Sequence, residues 1–115
     1  MAQGFSQRPE DFDKTYAPVI KLVSVCILLA FANLHDYEIM AFDVKTAFLH
    51  ARLPYSIFVQ QIPGYPEDNL NTVLHLLVAL YGLKQSAYKW YMLLNTTFLD
   101  LVLFQCEADH AVFIS

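Results

Sequence analysis

Apolar residues recur every three or four positions in the first long segment of the chain. They are Val19, Leu22, Val23, Cys26, Ile27, Ala30 and Phe31. This spacing predicts an amphipathic helix over residues 18–34. Pro18 suits the first turn of that helix, because an N–H group there has no partner within the helix.

Shorter apolar runs in the middle of the chain predict β-strands. Tyr37–Val44 fits a strand, and a short helical turn over Thr46–His50 is predicted to follow it. Ser56–Gln60 and Val73–Leu77 are predicted as two further strands. They flank Ile62–Asn71, a segment with the Pro and Gly residues of a turn, so a β-hairpin is expected.

Helical spacing returns over Gln85–Leu103, with residues 86–100 at the centre of the prediction. Ala111–Ile114 is predicted as a last strand. The order of these elements predicts an α+β fold, in which helices pack on a mainly antiparallel sheet. Helix 18–34 is expected to lie on a sheet that contains residues 38–44.

Length and composition limit the classes of protein that the chain can represent. Its 115 residues suit one domain, residues 1–115. Hydrophobic residues make up 57% of the sequence, above the roughly 45–50% of an average globular chain, so exposed apolar surface that favours association is expected. The net charge is −4, so nucleic-acid binding must rest on local positive charge and is expected to be weak.

Cysteine usage and the uncharged segments bear on the cellular compartment. Cys26 and Cys106 lie far apart without metal-ligand spacing, which favours free thiols in an intracellular protein of the cytoplasm or nucleus. The uncharged run Leu22–His35 is shorter than a membrane span, so no membrane partner is expected. The four histidines lack the HxxxH and HExxH patterns of a metal site.

Few residues suggest chemistry by their position alone. Asp43 falls at the end of a predicted strand, where it is either a solvated turn residue or a candidate metal ligand. By position alone, a core residue is the favoured interpretation of Phe48, and an exposed residue at a helix start is that of Lys84. Asp109 and His110 are adjacent, and adjacent strand residues point to opposite faces, which favours a structural role over a catalytic pair.

Several segments of the chain together resemble the copia-type retrotransposon reverse transcriptases. Phe42–Leu49, with the sequence FDVKTAFL, is similar to the first catalytic motif of that family. Five other segments follow the family's order and approximate spacing. They are Ala2–Gln7, Thr15–Val19, Leu80–Gln85, Trp90-Tyr91 and Glu107–His110.

The resemblance implies an RNA-directed DNA polymerase, in which carboxylates clamp two divalent ions about 3.5–4 Å apart. It gives Asp43 the role of a Mg²⁺ ligand in catalysis. It places the backbone beside Val44 and Lys45 opposite the incoming triphosphate, and it makes Phe48 the ring that excludes a ribose 2′-hydroxyl. The fold that it implies is that of the fingers and front palm.

The resemblance also places Lys84 and Gln85 in a loop beneath template and nucleotide, where Gly82 permits close backbone approach and a cation meets phosphate. Two departures from the family weaken that contact. Ser86-Ala87-Tyr88 stands where the family has Ala-Pro-Arg, and Leu77-Val78 replaces a basic pair. Each lost cation removes a phosphate contact, so the nucleic-acid affinity is expected to be low.

The family's second acidic motif, an aromatic residue followed by x-Asp-Asp, does not occur in these 115 residues. The sequence therefore predicts a partial reverse-transcriptase domain, truncated at both ends, that is inactive alone and holds Mg²⁺ only weakly. Two alternatives remain open. The chain is either a non-catalytic binding module that interferes with a polymerase, or a translated remnant without function.

Overall fold

The computed structural model describes residues 1–65 and 71–115. The helices and strands are, in chain order, α1 (Leu22–Leu34), β1 (Arg52–Val59), β2 (Leu74–Val78), α2 (Ser86–Asp100), β3 (Phe104–Gln105) and β4 (Phe113–Ile114). Short 3₁₀ turns lie at Gly4–Ser6, Pro9–Asp11 and Ala47–His50. The predicted mixture of helices and antiparallel strands is confirmed.

The chain forms two compact units. Met1–Thr15 and Thr46–Trp90 form the first, which contains β1 and β2 and is called the hairpin unit. Tyr16–Lys45 and Tyr91–Ser115 form the second, which contains α1 and is called the helical unit. Neither α1 nor α2, nor any other helix in the described ranges, combines the length and apolar character that a membrane span needs.

In the hairpin unit β1 and β2 pair antiparallel, with Ile57 opposite Leu76 and Val59 opposite Leu74. The predicted hairpin is confirmed, with β1 starting earlier than Ser56 and β2 displaced by one residue from 73–77. The register is irregular between Arg52 and Ile57, the stretch that contains Pro54. Pro has no N–H group for a strand ladder, so it is tolerated at such an irregularity.

The described part of the connecting segment forms a β-turn. The Tyr65 N–H donates to the Ile62 carbonyl at 3.0 Å, with Pro63 and Gly64 between them. Gly64 has a φ of +89°, as a type II turn requires at its second central residue. The remainder of the predicted turn segment, residues 66–70, lies outside the described residues.

Two glycines bring the N-terminal segment into contact with the loop that precedes α2. The Ala2 N–H donates to the Tyr81 carbonyl at 2.7 Å. Gly4 is buried, and a Cβ atom added to it would lie 1.9 Å from the Gly82 carbonyl oxygen. Gly82 has a φ of +99°, and a Cβ atom there would lie 2.0 Å from the Ala2 carbonyl oxygen. Only glycine at both positions allows the two backbones to approach this closely.

In the helical unit α1 begins at Leu22, and the predicted start at Pro18 is wrong. Lys21 is still extended, with φ −75° and ψ 142°. Its N–H donates to the Asp109 carboxylate at 2.9 Å. The first N–H groups of a helix have no partner within it, so α1 starts where Asp109 supplies an acceptor.

The prediction that α1 is amphipathic is also wrong. Val25, Leu28 and Leu29 put apolar side chains on the sides of the helix that the predicted face leaves open. No residue of α1 is buried, and Leu22 and Leu34 are each 78% exposed. The exposed apolar surface expected from composition is therefore present along this helix.

The predicted strand 37–44 is wrong, and so is the packing of helix 18–34 on a sheet that contains 38–44. Asp36 has a φ of 55°, and the Tyr37 N–H donates back to the Ala32 carbonyl at 2.8 Å. The Tyr37 ring contacts the Phe31 ring at 5.9 Å between centroids. This left-handed helix end turns the chain onto α1, and residues 37–44 make no strand pairing with the described strands.

The helix predicted over residues 86–100 is confirmed, and the last strand is confirmed with a shifted start. α2 ends at Asp100 although the helical spacing continues to Leu103, because Val102 adopts a left-handed φ of 61°. The Leu103 N–H then donates to the Phe98 carbonyl at 2.8 Å. The final strand is limited to Phe113–Ile114, which pairs antiparallel with Phe104–Gln105, a strand that the sequence pattern did not predict.

Candidate functional site

The six predicted site residues are distributed between the two units, three in each. Asp43, Val44 and Lys45 belong to the helical unit. Phe48, Lys84 and Gln85 belong to the hairpin unit.

Asp43 lies in the irregular segment that follows the left-handed end of α1. Its side chain is exposed, as is that of Lys45, and Val44 is 39% exposed. Within residues 1–65 and 71–115, no three His, Cys, Asp or Glu side chains are arranged to hold a metal ion. The divalent-metal site that reverse transcriptases generally use therefore does not fit the donors of the described residues by themselves.

Phe48 lies on the 3₁₀ turn Ala47–His50, where a helical turn was predicted. Its ring is half-buried and contacts the Tyr81 ring at 4.6 Å between centroids. Thr46, which precedes the turn, has a φ of 53°. A β-branched residue with a positive φ is a backbone outlier, so the chain is strained within the motif that carries Asp43.

Lys84 lies in the loop before α2, at the start of the predicted phosphate-contacting segment. Its backbone N–H donates to the Gln7 side-chain oxygen at 2.9 Å, and its ammonium group donates to the Gln7 carbonyl at 3.2 Å. The ammonium nitrogen also lies 4.6 Å from the centre of the Phe12 ring. Lys84 is nonetheless exposed, so a held cation faces solvent.

Gln85 is fully enclosed, with 0% of its surface exposed. Its side-chain oxygen accepts a hydrogen bond from Gln7 Nε2 at 3.0 Å, and its own Nε2 donates to the Asp11 carbonyl at 3.5 Å. No role is predicted for Gln7 from the sequence, although Gln7 ends a segment that resembles the family. Its contact with a loop 78 positions away has no signal in local spacing.

Of the residues that depart from the family pattern, Ser86 has a structural role at the start of α2. Ser86 is fully buried, and its hydroxyl donates to the Leu80 carbonyl at 2.5 Å. Leu77, on the outer face of β2, is 72% exposed. Lys89 lies 5.2 Å from the centre of the Tyr55 ring and 5.5 Å from that of Tyr88.

Asp109 is a structural residue of the helical unit, in agreement with the interpretation made from its sequence context. Its carboxylate accepts from the Ser24 hydroxyl at 2.5 Å and from the Lys21 and Ala111 N–H groups at 2.9 and 3.1 Å. The Ser24 hydrogen bond, followed by the two backbone hydrogen bonds, lowers the pKa of Asp109 below its ordinary value. Its role as the cap of α1 has no signal in local spacing, because 88 positions separate it from Lys21.

Four of the six segments that resemble the family meet in pairs, one pair in each unit. In the hairpin unit the segment 2–7 contacts the loop 80–85 through the two glycines and Gln7. In the helical unit residues from 15–19 and from 107–110 line one open pocket of about 180 Å³. These four segments, which are separate in the sequence, are therefore neighbours in the folded chain.

Comparisons with known proteins identify the family of the chain. The family model described as "Reverse transcriptase (RNA-dependent DNA polymerase)" matches residues 1–115. The Retrovirus-related Pol polyproteins from transposons RE1 and RE2 of Arabidopsis thaliana are 36% and 35% identical over 99% of the chain. That from transposon TNT 1-94 of Nicotiana tabacum is 39% identical over 80% of the chain.

The chain spans only 8% of the length of the RE1 and RE2 polyproteins and 7% of the TNT 1-94 polyprotein. No solved structure gives a significant match. The family model nevertheless covers every residue of the chain, and the relatives are copia-type transposon proteins. The chain therefore belongs to the reverse transcriptase family and corresponds to a portion of a copia-type retrotransposon Pol polyprotein.

Proposed function

We propose that the chain supplies part of the fingers and palm of an RNA-directed DNA polymerase from a copia-type retrotransposon. The observation that carries this proposal is the family match over residues 1–115. It is supported by the contact between the segment 2–7 and the loop 80–85, which joins two family-like segments in one folded unit.

In this proposal Asp43 contributes one carboxylate to a divalent-metal site that acidic residues elsewhere in a longer polymerase complete. Its exposure supports this role, because a ligand shared with other segments must be accessible. The backbone beside Val44 and Lys45 faces the incoming triphosphate. Phe48 excludes a ribose 2′-hydroxyl, and its contact with Tyr81 restricts the motion of the ring.

In the same proposal Lys84 and Gln85 serve the nucleotide and the template. The exposed ammonium group of Lys84 supports a phosphate contact, because two further groups of the chain hold it in place. Nucleic-acid binding by these residues alone is weak, because the chain has a net charge of −4 and sequence-independent affinity grows with the number of neutralised phosphates.

Primer extension tests the proposal that acidic residues elsewhere in a longer polymerase complete the metal site of Asp43. The purified chain is incubated with an RNA template, a labelled DNA primer, deoxynucleotides and either Mg²⁺ or Mn²⁺. We expect no incorporation of deoxynucleotides. Polymerases of this kind use several carboxylates to hold two metal ions, and Asp43 alone supplies a single carboxylate. Template-dependent incorporation that Asp43→Asn abolishes would contradict the proposal, because these residues would then form a complete site.

The exposed surface of α1 favours a second candidate function, a non-catalytic module that binds a polymerase. A helix with apolar residues on all sides is normally covered by other protein, and no residue of α1 is buried. The purified chain is added to an active copia-type reverse transcriptase, and primer extension is measured. Dose-dependent inhibition that Ile27→Lys relieves supports this function, and an unchanged rate excludes it for that enzyme.

A further inference from the structure

Gln7 joins the N-terminal segment to Lys84 and Gln85, two of the residues to which the proposed function gives contacts with the substrate. Its side-chain oxygen accepts from the Lys84 N–H at 2.9 Å, and its side-chain nitrogen donates to Gln85 Oε1 at 3.0 Å. Its backbone carbonyl accepts from the Lys84 ammonium group at 3.2 Å. One residue thus contacts the backbone and the cation of Lys84 and the amide of Gln85.

The two ends of the Gln7 carboxamide are not interchangeable. A carboxamide accepts at oxygen and donates at nitrogen. The side-chain oxygen of Gln7 accepts from the Lys84 N–H, so the side-chain nitrogen of Gln7 is directed to Gln85. The side-chain oxygen of Gln85 must then face that nitrogen. The nitrogen of Gln85 is then turned to the Asp11 carbonyl at 3.5 Å. Gln85 is fully enclosed, so the opposite orientation would place two buried donors against each other, which is unfavourable.

The Lys84 ammonium group is consequently held before any ligand arrives. The Gln7 carbonyl and the Phe12 ring restrict it, and it is still exposed. Lysine has several rotatable bonds and loses much conformational entropy when it is fixed. A cation that the fold has already fixed binds phosphate at a smaller entropic cost.

We propose that Gln7 is a positioning residue, which orients Gln85 and holds the loop so that Lys84 meets a phosphate group of the substrate. This inference rests on the proposed function for the contact between Lys84 and phosphate. The orientation of Gln85 by Gln7 rests on the hydrogen bonds alone.

The test uses the full 115-residue chain, with inorganic tripolyphosphate as the probe. Binding is followed at low salt by the NMR shift of the Lys84 amide, and hydrogen exchange of the Gln85 side-chain amide is measured in the same samples. Gln7→Met keeps the length of the side chain and removes both of its hydrogen bonds. Gln3→Met, at an exposed position of the same segment, is the matched control.

Gln7→Met is expected to weaken tripolyphosphate binding about fivefold, the equivalent of one ordinary hydrogen bond. It is also expected to accelerate exchange of the Gln85 amide, whereas Gln3→Met changes neither quantity. Gln7→Glu keeps an acceptor for the Lys84 N–H but cannot donate to Gln85. The protection of the Gln85 amide should therefore fall, and the added negative charge beside Lys84 should also weaken tripolyphosphate binding.

Unchanged binding and unchanged exchange in Gln7→Met would overturn the inference and leave the proposed function in place. If the wild-type chain does not bind tripolyphosphate, or if Lys84→Met binds it as well as the wild type, the proposed phosphate contact of Lys84 is wrong. The positioning role then fails with it. The two failures are distinguishable, because the first appears only in Gln7 variants and the second in the wild type or at Lys84.

Discussion

The close approach of Gly4 to Gly82 gives the most specific prediction about the stability of the hairpin unit. Gly4→Ala adds one methyl group, whose carbon would lie 1.9 Å from the Gly82 carbonyl oxygen. An ordinary contact requires 3.4 Å or more, so the two backbones must separate by roughly 1.5 Å. That movement lengthens the hydrogen bond from the Ala2 N–H to the Tyr81 carbonyl, now 2.7 Å, beyond hydrogen-bonding distance.

The magnitude follows from three contributions. Overpacking costs about 1–3 kcal/mol, and the lost hydrogen bond costs about 0.5–1.5 kcal/mol. The lower entropy of alanine in the unfolded chain returns about 0.4–1 kcal/mol. Gly4→Ala should therefore lower the free energy of unfolding by about 2 kcal/mol, within a range of about 0.5–4 kcal/mol. That is a large share of the roughly 6–17 kcal/mol expected for a domain of this length.

Variants of two other glycines distinguish the cost of the steric contact from the cost of placing alanine at a positive φ. Gly64 has a φ of +89° and no atom within 4 Å of its added Cβ, so Gly64→Ala should cost only about 1 kcal/mol of left-handed strain. Gly82 combines a φ of +99° with a contact of 2.0 Å, so Gly82→Ala should cost the most. Urea unfolding, followed by the fluorescence of Trp90, measures all three variants. If Gly4→Ala is no less stable than Gly64→Ala, the close approach is absent.

Three further predictions concern acid stability, nucleic-acid affinity and a helix end. The pKa of Asp109 is lowered in the folded chain, so the ionised carboxylate stabilises the fold above about pH 4, and this stabilisation is lost as the pH falls through the folded-state pKa. Asp109→Asn should therefore flatten the acid-unfolding profile measured by circular dichroism. Equal profiles for the two proteins would contradict this prediction. In primer–template titrations, the logarithm of the binding constant should fall with the logarithm of the salt concentration with a slope of magnitude no more than about 3, because Lys45, Lys84 and Lys89 are the cations expected to contact phosphate. A steeper slope with sub-micromolar binding at physiological salt would contradict this prediction and show stronger local positive charge. Val102 is 64% exposed with a φ of 61°, so Val102→Gly should raise the free energy of unfolding by about 0.5–1 kcal/mol in a denaturant titration, and a loss of stability would contradict the strain.

Local patterns predicted the elements whose stabilising contacts are close in sequence. The β1–β2 hairpin has a Pro-Gly turn between two apolar runs, and α2 has helical spacing over its whole length. The start of α1 could not be predicted in the same way, because Asp109, its capping residue, lies far along the chain. The strand predicted over 37–44 failed for a related reason, since a strand needs a neighbour to pair with and sequence alternation does not identify one.

The candidate site shows the same division between local and distant information. The resemblance directed attention to Asp43 and Lys84, because motifs are local. It could not show that Gln7 holds Lys84 and Gln85, since those hydrogen bonds join residues 77 and 78 positions apart. The two glycines were equally hidden, because the sequence does not indicate that Gly4 faces Gly82.

The central claim is that these residues supply part of a reverse-transcriptase site in which Asp43 is essential. The most direct measurement replaces the aligned residues of an active copia-type reverse transcriptase by residues 1–115 of this chain and follows primer extension on an RNA template. Asp43→Asn removes the proposed ligand, and Asp36→Asn makes the same chemical change at an exposed position in the same irregular region. Loss of several kcal/mol of metal-dependent stabilisation corresponds to a rate reduction of about a thousandfold.

We expect the grafted enzyme to extend the primer, Asp36→Asn to stay within about twofold of it, and Asp43→Asn to lose about a thousandfold in rate. A folded graft that does not extend the primer, or an Asp43→Asn graft as active as its Asp36→Asn control, would contradict the account.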